Sequence, residues 1–117
     1  PSLADIGFIQ QQELYETLTA AGVAPVVVDS ADIRRDPAGK LQQLCAAIDL
    51  EWDPAMLSWP AGGHPSDGIW ASHWYGSVHA STGFAGPEGD IPDLDGPRAA
   101  LARAAMPAYE RLRAVAI

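Results

Sequence analysis

The stretch Trp59-Pro60-Ala61-Gly62-Gly63-His64-Pro65-Ser66-Asp67-Gly68-Ile69-Trp70-Ala71-Ser72-His73-Trp74-Tyr75, continued by His79 and Ser81-Thr82-Gly83-Phe84, holds three of the four tryptophans and all three histidines of the chain. Aromatic and hydrogen-bonding side chains concentrated in a loop-to-helix region suit a pocket for a flat or polar ligand. Trp59, Asp67, Trp70, Trp74 and Tyr75 are therefore candidate substrate-binding residues. As packing residues, Trp59 and Trp70 would instead plug the loop onto a core, each offering large apolar area and one N–H. His73 and His79 are each a candidate general base toward an acceptor hydroxyl, because free imidazole titrates near neutrality. Six positions apart on a helix, they would point about 120° from one another, so each is expected to act alone. His64, His73 and His79 lack the i, i+4 spacing and the convergent carboxylates of a helical zinc site, and no metal is expected. Ser81 lacks a Gly-x-Ser-x-Gly setting, which argues against a serine hydrolase.

These residues need a scaffold. Leu3, Ile6, Leu14, Leu18 and Ala21 recur at helical spacing before Gly22, so a first helix is expected over Leu3 to Ala21. Pro25-Val26-Val27-Val28-Asp29 reads as a buried strand, closed by Asp29-Ser30-Ala31-Asp32. Asp36-Pro37 is an N-cap with proline at the first helical position, and Leu41, Leu44, Cys45 and Ile48 form the apolar stripe of the helix that follows. Asp53-Pro54 repeats the signature for a short turn to about Leu57. Trp59 to Asp67 reads as an irregular loop, Trp70 to Thr82 as a helix ended at Gly83, and Ala85 to Gly96 as an exposed loop. Pro97 to Val115 reads as a helix kinked at Pro107.

Helix, short strand, helix favours an α/β class in which a parallel sheet is covered by helices. One strand cannot make a sheet, since its buried backbone groups need partners. The chain therefore reads as a piece of a larger protein, a single domain fragment over residues 1–117 whose sheet is completed by a missing N-terminal segment or another chain. Opening on Pro1 fits that expectation. Asp29 and Asp32 sit at the carboxyl end of the strand, the edge where open α/β sheets collect ligands, or else cap the following turn.

Composition excludes several classes. Seven Lys and Arg against fifteen Asp and Glu give a formal charge of −8, which opposes non-specific binding to nucleic acid or anionic membrane. The apolar runs are far shorter than the roughly 20 residues of a membrane span, so a soluble, cytoplasmic protein is expected. Cys45 is the one cysteine and falls on an apolar helix face, as a buried structural thiol would.

Val26 to Pro37, with the apolar helix that follows and its Ala46-Ala47-Ile48-Asp49-Leu50 end, resembles the later half of P-loop-type sulfotransferases. The Trp59-Pro60-Ala61-Gly62, Asp67-Gly68-Ile69-Trp70, Trp74-Tyr75 and Ser81-Thr82-Gly83-Phe84 blocks look like the bacterial sulfotransferase-like branch. The resemblance covers roughly residues 5 to 115. It implies a helix-rich C-terminal part of a P-loop-type three-layer fold, with Pro25 to Asp29 as one strand of a parallel sheet. It also implies transfer of a sulfuryl group from 3′-phosphoadenylyl sulfate to a small-molecule acceptor, by in-line positioning and charge neutralisation. The family's phosphate-binding loop lies upstream of the matched region, so the chain is expected to be inactive alone. Thr82-Gly83-Phe84 corresponds to a Thr-x-Phe element on the adenine side, and Ser30 stands where a tyrosine is common. This makes Ser30, Thr82 and Phe84 candidate donor-binding residues. The family's basic C-terminal element has no counterpart among Arg98, Arg103, Arg111 and Arg113. Alternative readings are a non-catalytic binding or scaffold module with a Trp-rich interaction surface, and another P-loop transferase or kinase.

Overall fold

A computed structural model describes all residues from Pro1 to Ile117, and the chain divides into two compact units. Unit 1 comprises Pro1–Ser30 and Gly89–Ile117; unit 2 is Ala31–Glu88.

In unit 1 the expected first helix is two elements, a 3-10 turn over Leu3–Ile6 and helix α1 over Phe8–Ala20. Gly7 between them has φ 77, a left-handed backbone that an α-helix cannot contain and that glycine adopts without steric cost. Ser2 and Asp5 close a capping box over the 3-10 turn. The stop signal at Gly22 is real. With φ 82 it lets Val23 N–H reach Leu18 O and its own N–H reach Thr19 O, the two bonds of a Schellman ending. The long C-terminal helix, α6, runs over Gly96–Arg113 and carries Pro107 inside it. Its buried residues are Ala105 and Ala108, small enough to let α1 approach, and Phe8 meets Tyr109 edge to face at 6.4 Å.

Val23 to Asp29 is neither helix nor turn, and no sheet forms around it. Ile117 N–H donates to Val27 O at 3.0 Å, and the one β-bridge of the chain lies elsewhere, between Ser58 and Gly83. The valines are half-buried. The strand expected over Pro25 to Asp29 is thus irregular chain without a ladder, and the parallel sheet is not formed by these residues. Asp29 anchors its end by accepting from Tyr109 Oη at 2.7 Å, with Arg113 Nε at 3.5 Å.

Where Asp29-Ser30-Ala31-Asp32 was expected to close the strand, residues Ser30–Arg35 form helix α2, and all but its first residue belong to unit 2. The acidic Asp32 in its first turn and the basic Arg34 and Arg35 in its last suit the helix dipole. Helix α3, Pro37–Ala47, starts where expected, capped by Asp36 accepting from Gly39 N–H at 3.0 Å. Asp49 ends it at φ 57, with Leu50 N–H on Cys45 O. Cys45 is buried, with its Sγ 4.0 Å from Met56 Sδ. Asp53 caps the 3-10 turn Pro54–Leu57 through Ala55 N–H. The helix expected over Trp70 to Thr82 is instead two short ones, α4 over Ala71–Trp74 and α5 over Gly76–Ala80. Tyr75 separates them, next to Gly76, a poor helix former. Residues 85–95 are exposed and irregular, as expected.

The interior is thin. The buried apolar residues are Cys45, Ala71, Ala105 and Ala108, with no large side chain fully buried. The chain exposes 8643 Å² of surface. A 12.3 kDa globule would expose about 6,100 Å², and two separate globules of half that mass about 7,300 Å² together. The exposed large apolar side chains include Ile69, Trp70, Trp74, Val78 and Ile91. No helix is long and apolar enough to cross a membrane.

Candidate functional site

The loop from Trp59 to Phe84 is closed by backbone and side-chain bonds that its sequence alone does not disclose. Trp59 N–H donates to Thr82 O at 3.1 Å, and Gly62 N–H to His79 O at 2.7 Å. The Trp59 indole Nε1–H donates to Ser81 Oγ at 2.9 Å, and Ser81 Oγ in turn donates to Val78 O at 2.7 Å. Phe84 packs its ring against Trp59 edge to face at 5.5 Å. Trp59 thus behaves as the packing residue of the cluster, holding the two ends of the loop together.

Closure brings His79 Nε2 to 2.9 Å from Asp67 Oδ2. The same carboxylate oxygen accepts His64 N–H at 2.8 Å, while Asp67 N–H returns to His64 O at 2.9 Å. These bonds hold the Asp67 carboxyl below its ordinary value, the His64 backbone N–H contributing most and the His79 ring next. The His79 and Asp67 side chains are 29% and 28% exposed, enclosed by their loop yet open to a ligand. Tyr75 lies edge-on to the His79 ring at 5.9 Å. Gly63 closes the other side, where a Cβ would stand 3.0 Å from His79 Cε1 and 3.3 Å from Asp67 Oδ2.

Only one of the two expected bases has this setting. His73 is exposed, its ring against Trp74 at 4.9 Å, with no carboxylate at hydrogen-bond distance. Ser66 N–H donates to His64 Nδ1, which ties that ring into the local turn. No group of three or more histidine, cysteine or acidic side chains converges as metal ligands would.

The remaining expected substrate residues face outward. Trp70, Trp74 and Val78, four residues apart in sequence, are 66%, 68% and 59% exposed. This corrects the packing alternative for Trp70, which plugs onto no core of this chain. Phe84, with Arg35 and Gly83, lines a recess of about 370 Å³. That recess offers a ring and a cation side by side, although Arg35 is paired with Asp32. Thr82 does not line it, and Ser30 belongs to unit 1, where it lines a cavity of about 380 Å³ with Asp29, Tyr109 and Arg113. Asp32 is buried within α2. The contact missed from sequence is the pairing of Asp67 with His79; both residues stood among the candidates, in separate roles.

Residues 2–116 match a family model described as sulfotransferase domain. Two curated relatives of Arabidopsis thaliana, branched-chain-amino-acid aminotransferase-like proteins 1 and 2, are 40% identical over 88 residues and 36% identical over 87 residues. The alignments take in 75% and 74% of this chain and 16% of each relative. The chain thus spans about a sixth of the length of the curated relatives it matches. No solved structure matches.

Proposed function

Because the chain belongs to the sulfotransferase-domain family, we propose that it forms the acceptor-side part of a sulfotransferase-like protein. In that protein a sulfuryl group passes from 3′-phosphoadenylyl sulfate to a small-molecule hydroxyl or amine. The observation that carries this reading is the His79–Asp67 pair, held in a closed loop whose sequence also carries the exposed rings of Trp70 and Trp74. The acceptor oxygen attacks sulfur, the bond from sulfur to the phosphate oxygen of the donor breaks, and the acceptor proton passes to His79. The products are the sulfate ester and 3′-phosphoadenosine 5′-phosphate. Trp70 and Trp74 offer flat apolar walls for the acceptor, and Tyr75 borders the imidazole.

For the donor, the recess beside Phe84 and Arg35 suits an adenine ring and a neighbouring phosphate. Arg34, the other cation of α2, is engaged by Gly86 O at 2.9 Å and Glu88 at 3.1 Å. The cations that bind the remaining donor phosphates belong, in this reading, to a P-loop outside the chain, so these 117 residues are inactive alone. Their exposed apolar side chains support the same view, and the proposed setting is cytoplasmic, with that surface covered by the rest of the protein.

A second reading is favoured by the same exposed stripe, Trp70, Trp74 and Val78, taken as a docking surface of a non-catalytic module. The full-length parent separates the two. Incubated with donor labelled in its sulfuryl group and a panel of hydroxyl and amine acceptors, it should label an acceptor from 3′-phosphoadenylyl sulfate and transfer nothing from ATP. Transfer from ATP alone would favour a kinase-like protein, and no transfer from either would favour the binding module.

A further inference from the structure

An ionised carboxylate can only accept hydrogen bonds, so the 2.9 Å contact between Asp67 Oδ2 and His79 Nε2 requires the proton to sit on Nε2. In the neutral ring the lone pair then belongs to Nδ1, and Nδ1 has no protein partner. His79 N–H is itself used within the fold, on Tyr75 O at 2.8 Å, and His79 O receives Gly62 N–H, so the backbone on either side of the ring is fixed. Asp67 is fixed as well, by the reciprocal pair of bonds to His64 across its turn. The third side is Gly63, whose missing side chain leaves room for the imidazole edge: a Cβ there would lie 3.1 Å from Nε2 itself.

We propose that Asp67 is a positioning residue that locks His79 as the Nε2-protonated tautomer, so that Nδ1 is the atom that takes the acceptor proton, with Gly63 reserving the space for that arrangement. The inference rests on the reading of His79 as the base and adds which nitrogen acts and what selects it. As the acceptor oxygen attacks, its proton moves to Nδ1 and the ring becomes a cation. The Asp67 carboxylate, already hydrogen-bonded to Nε2–H, stabilises that cation without taking the proton itself. The role is distinct from that of Asp5, whose carboxyl is also lowered but serves an exposed capping box.

The test uses the full-length parent, with two readouts that fail independently. Nitrogen-15 NMR of the imidazoles in alkaline buffer, where rings are neutral, with His79 assigned by its loss in His79→Gln, should show Nε2 protonated and Nδ1 bare. In Asp67→Asn the oxygen that stays on His64 N–H is uncharged and a weaker acceptor for Nε2–H, so the proton should shift in part to Nδ1. Turnover in Asp67→Asn should fall about tenfold or more, as expected when a base is held in the wrong tautomer. A proton on Nδ1 of the neutral ring in the unsubstituted protein would overturn the inference whatever the variants do, which covers the case of a variant that fails to fold. Full turnover in Asp67→Asn, with His79→Ala inactive, would overturn the role of Asp67 and leave His79 as the base. Full turnover in His79→Ala would overturn the reading on which the inference rests, and the inference with it.

Discussion

Gly63→Ala isolates the geometry of the site from the stability of the fold. The new Cβ would stand 3.0 Å from His79 Cε1 and 3.1 Å from Nε2, where ordinary van der Waals contact begins at 3.4 Å. The imidazole must therefore retreat by about 0.4 Å, because it is the softer partner: side chains that are 29% and 28% exposed move before backbone does. A retreat of that size stretches the 2.9 Å contact to Asp67 to about 3.3 Å, past the usual range of an N–H···O bond. Overpacking at a half-open site costs about 1 kcal/mol. The Gly63 backbone is not left-handed, so alanine also returns about 0.4–1 kcal/mol by restricting the unfolded chain. The two nearly cancel, and the melting temperature should barely move. Turnover should not be spared, since a misplacement of about 1 Å costs about 10²-fold and one of 0.4 Å is expected to cost about tenfold. Gly68→Ala is the control, because a Cβ there meets nothing within 4 Å. Paired measurements of melting and sulfuryl transfer on the full-length parent check the reasoning. It is refuted if Gly63→Ala keeps full turnover, or if Gly68→Ala loses as much.

Three further outcomes follow from the same loop. Trp59→Phe removes the donor to Ser81 Oγ while Ser81 keeps its bond to Val78 O, so urea unfolding should show a loss of about 1 kcal/mol; no loss would deny that the indole N–H fastens the loop. The Asp67 carboxyl is lowered in the fold, so its contribution is complete above its ordinary value of 3.8 and is lost as pH falls through the lower folded value. The protection of Gly62 N–H, taken relative to its intrinsic exchange rate at each pH, should therefore fall in acid, a step absent from Asp67→Asn; an identical acid response in the two proteins would contradict the sign. Trp74→Ala, at a 68% exposed position, should change stability by no more than about 0.5 kcal/mol while raising the KM of the acceptor. A large fall in melting temperature would make Trp74 a packing residue of the parent.

Local signals were readable because their causes are local. Asp36 and Asp53 announce their caps by standing before proline, and Gly22 announces the end of α1; each bond spans no more than a few residues. Gly7 carried a signal that helical periodicity overrode, since an apolar repeat says nothing about a left-handed residue inside it. Asp29 to Asp32 reads as the close of a strand, although an acid in the first turn and two arginines in the last are equally the marks of a short helix over Ser30–Arg35. The Asp67–His79 pair was not legible as a pair. Their twelve-residue separation is bridged only when Gly62 reaches His79 O and Trp59 reaches Thr82 and Ser81, contacts that no period of 2 or 3.6 encodes. The strand expected over Pro25 to Asp29 is not formed, because a ladder requires a partner and none of these residues supplies one.

Single-turnover transfer from labelled 3′-phosphoadenylyl sulfate by the full-length parent, compared with its His79→Ala variant in the presence and absence of free imidazole, tests the central claim most directly. A loss of about 10²-fold or more that imidazole partly restores is the predicted result. Transfer at an unchanged rate in the variant would contradict the assignment of His79 as the base.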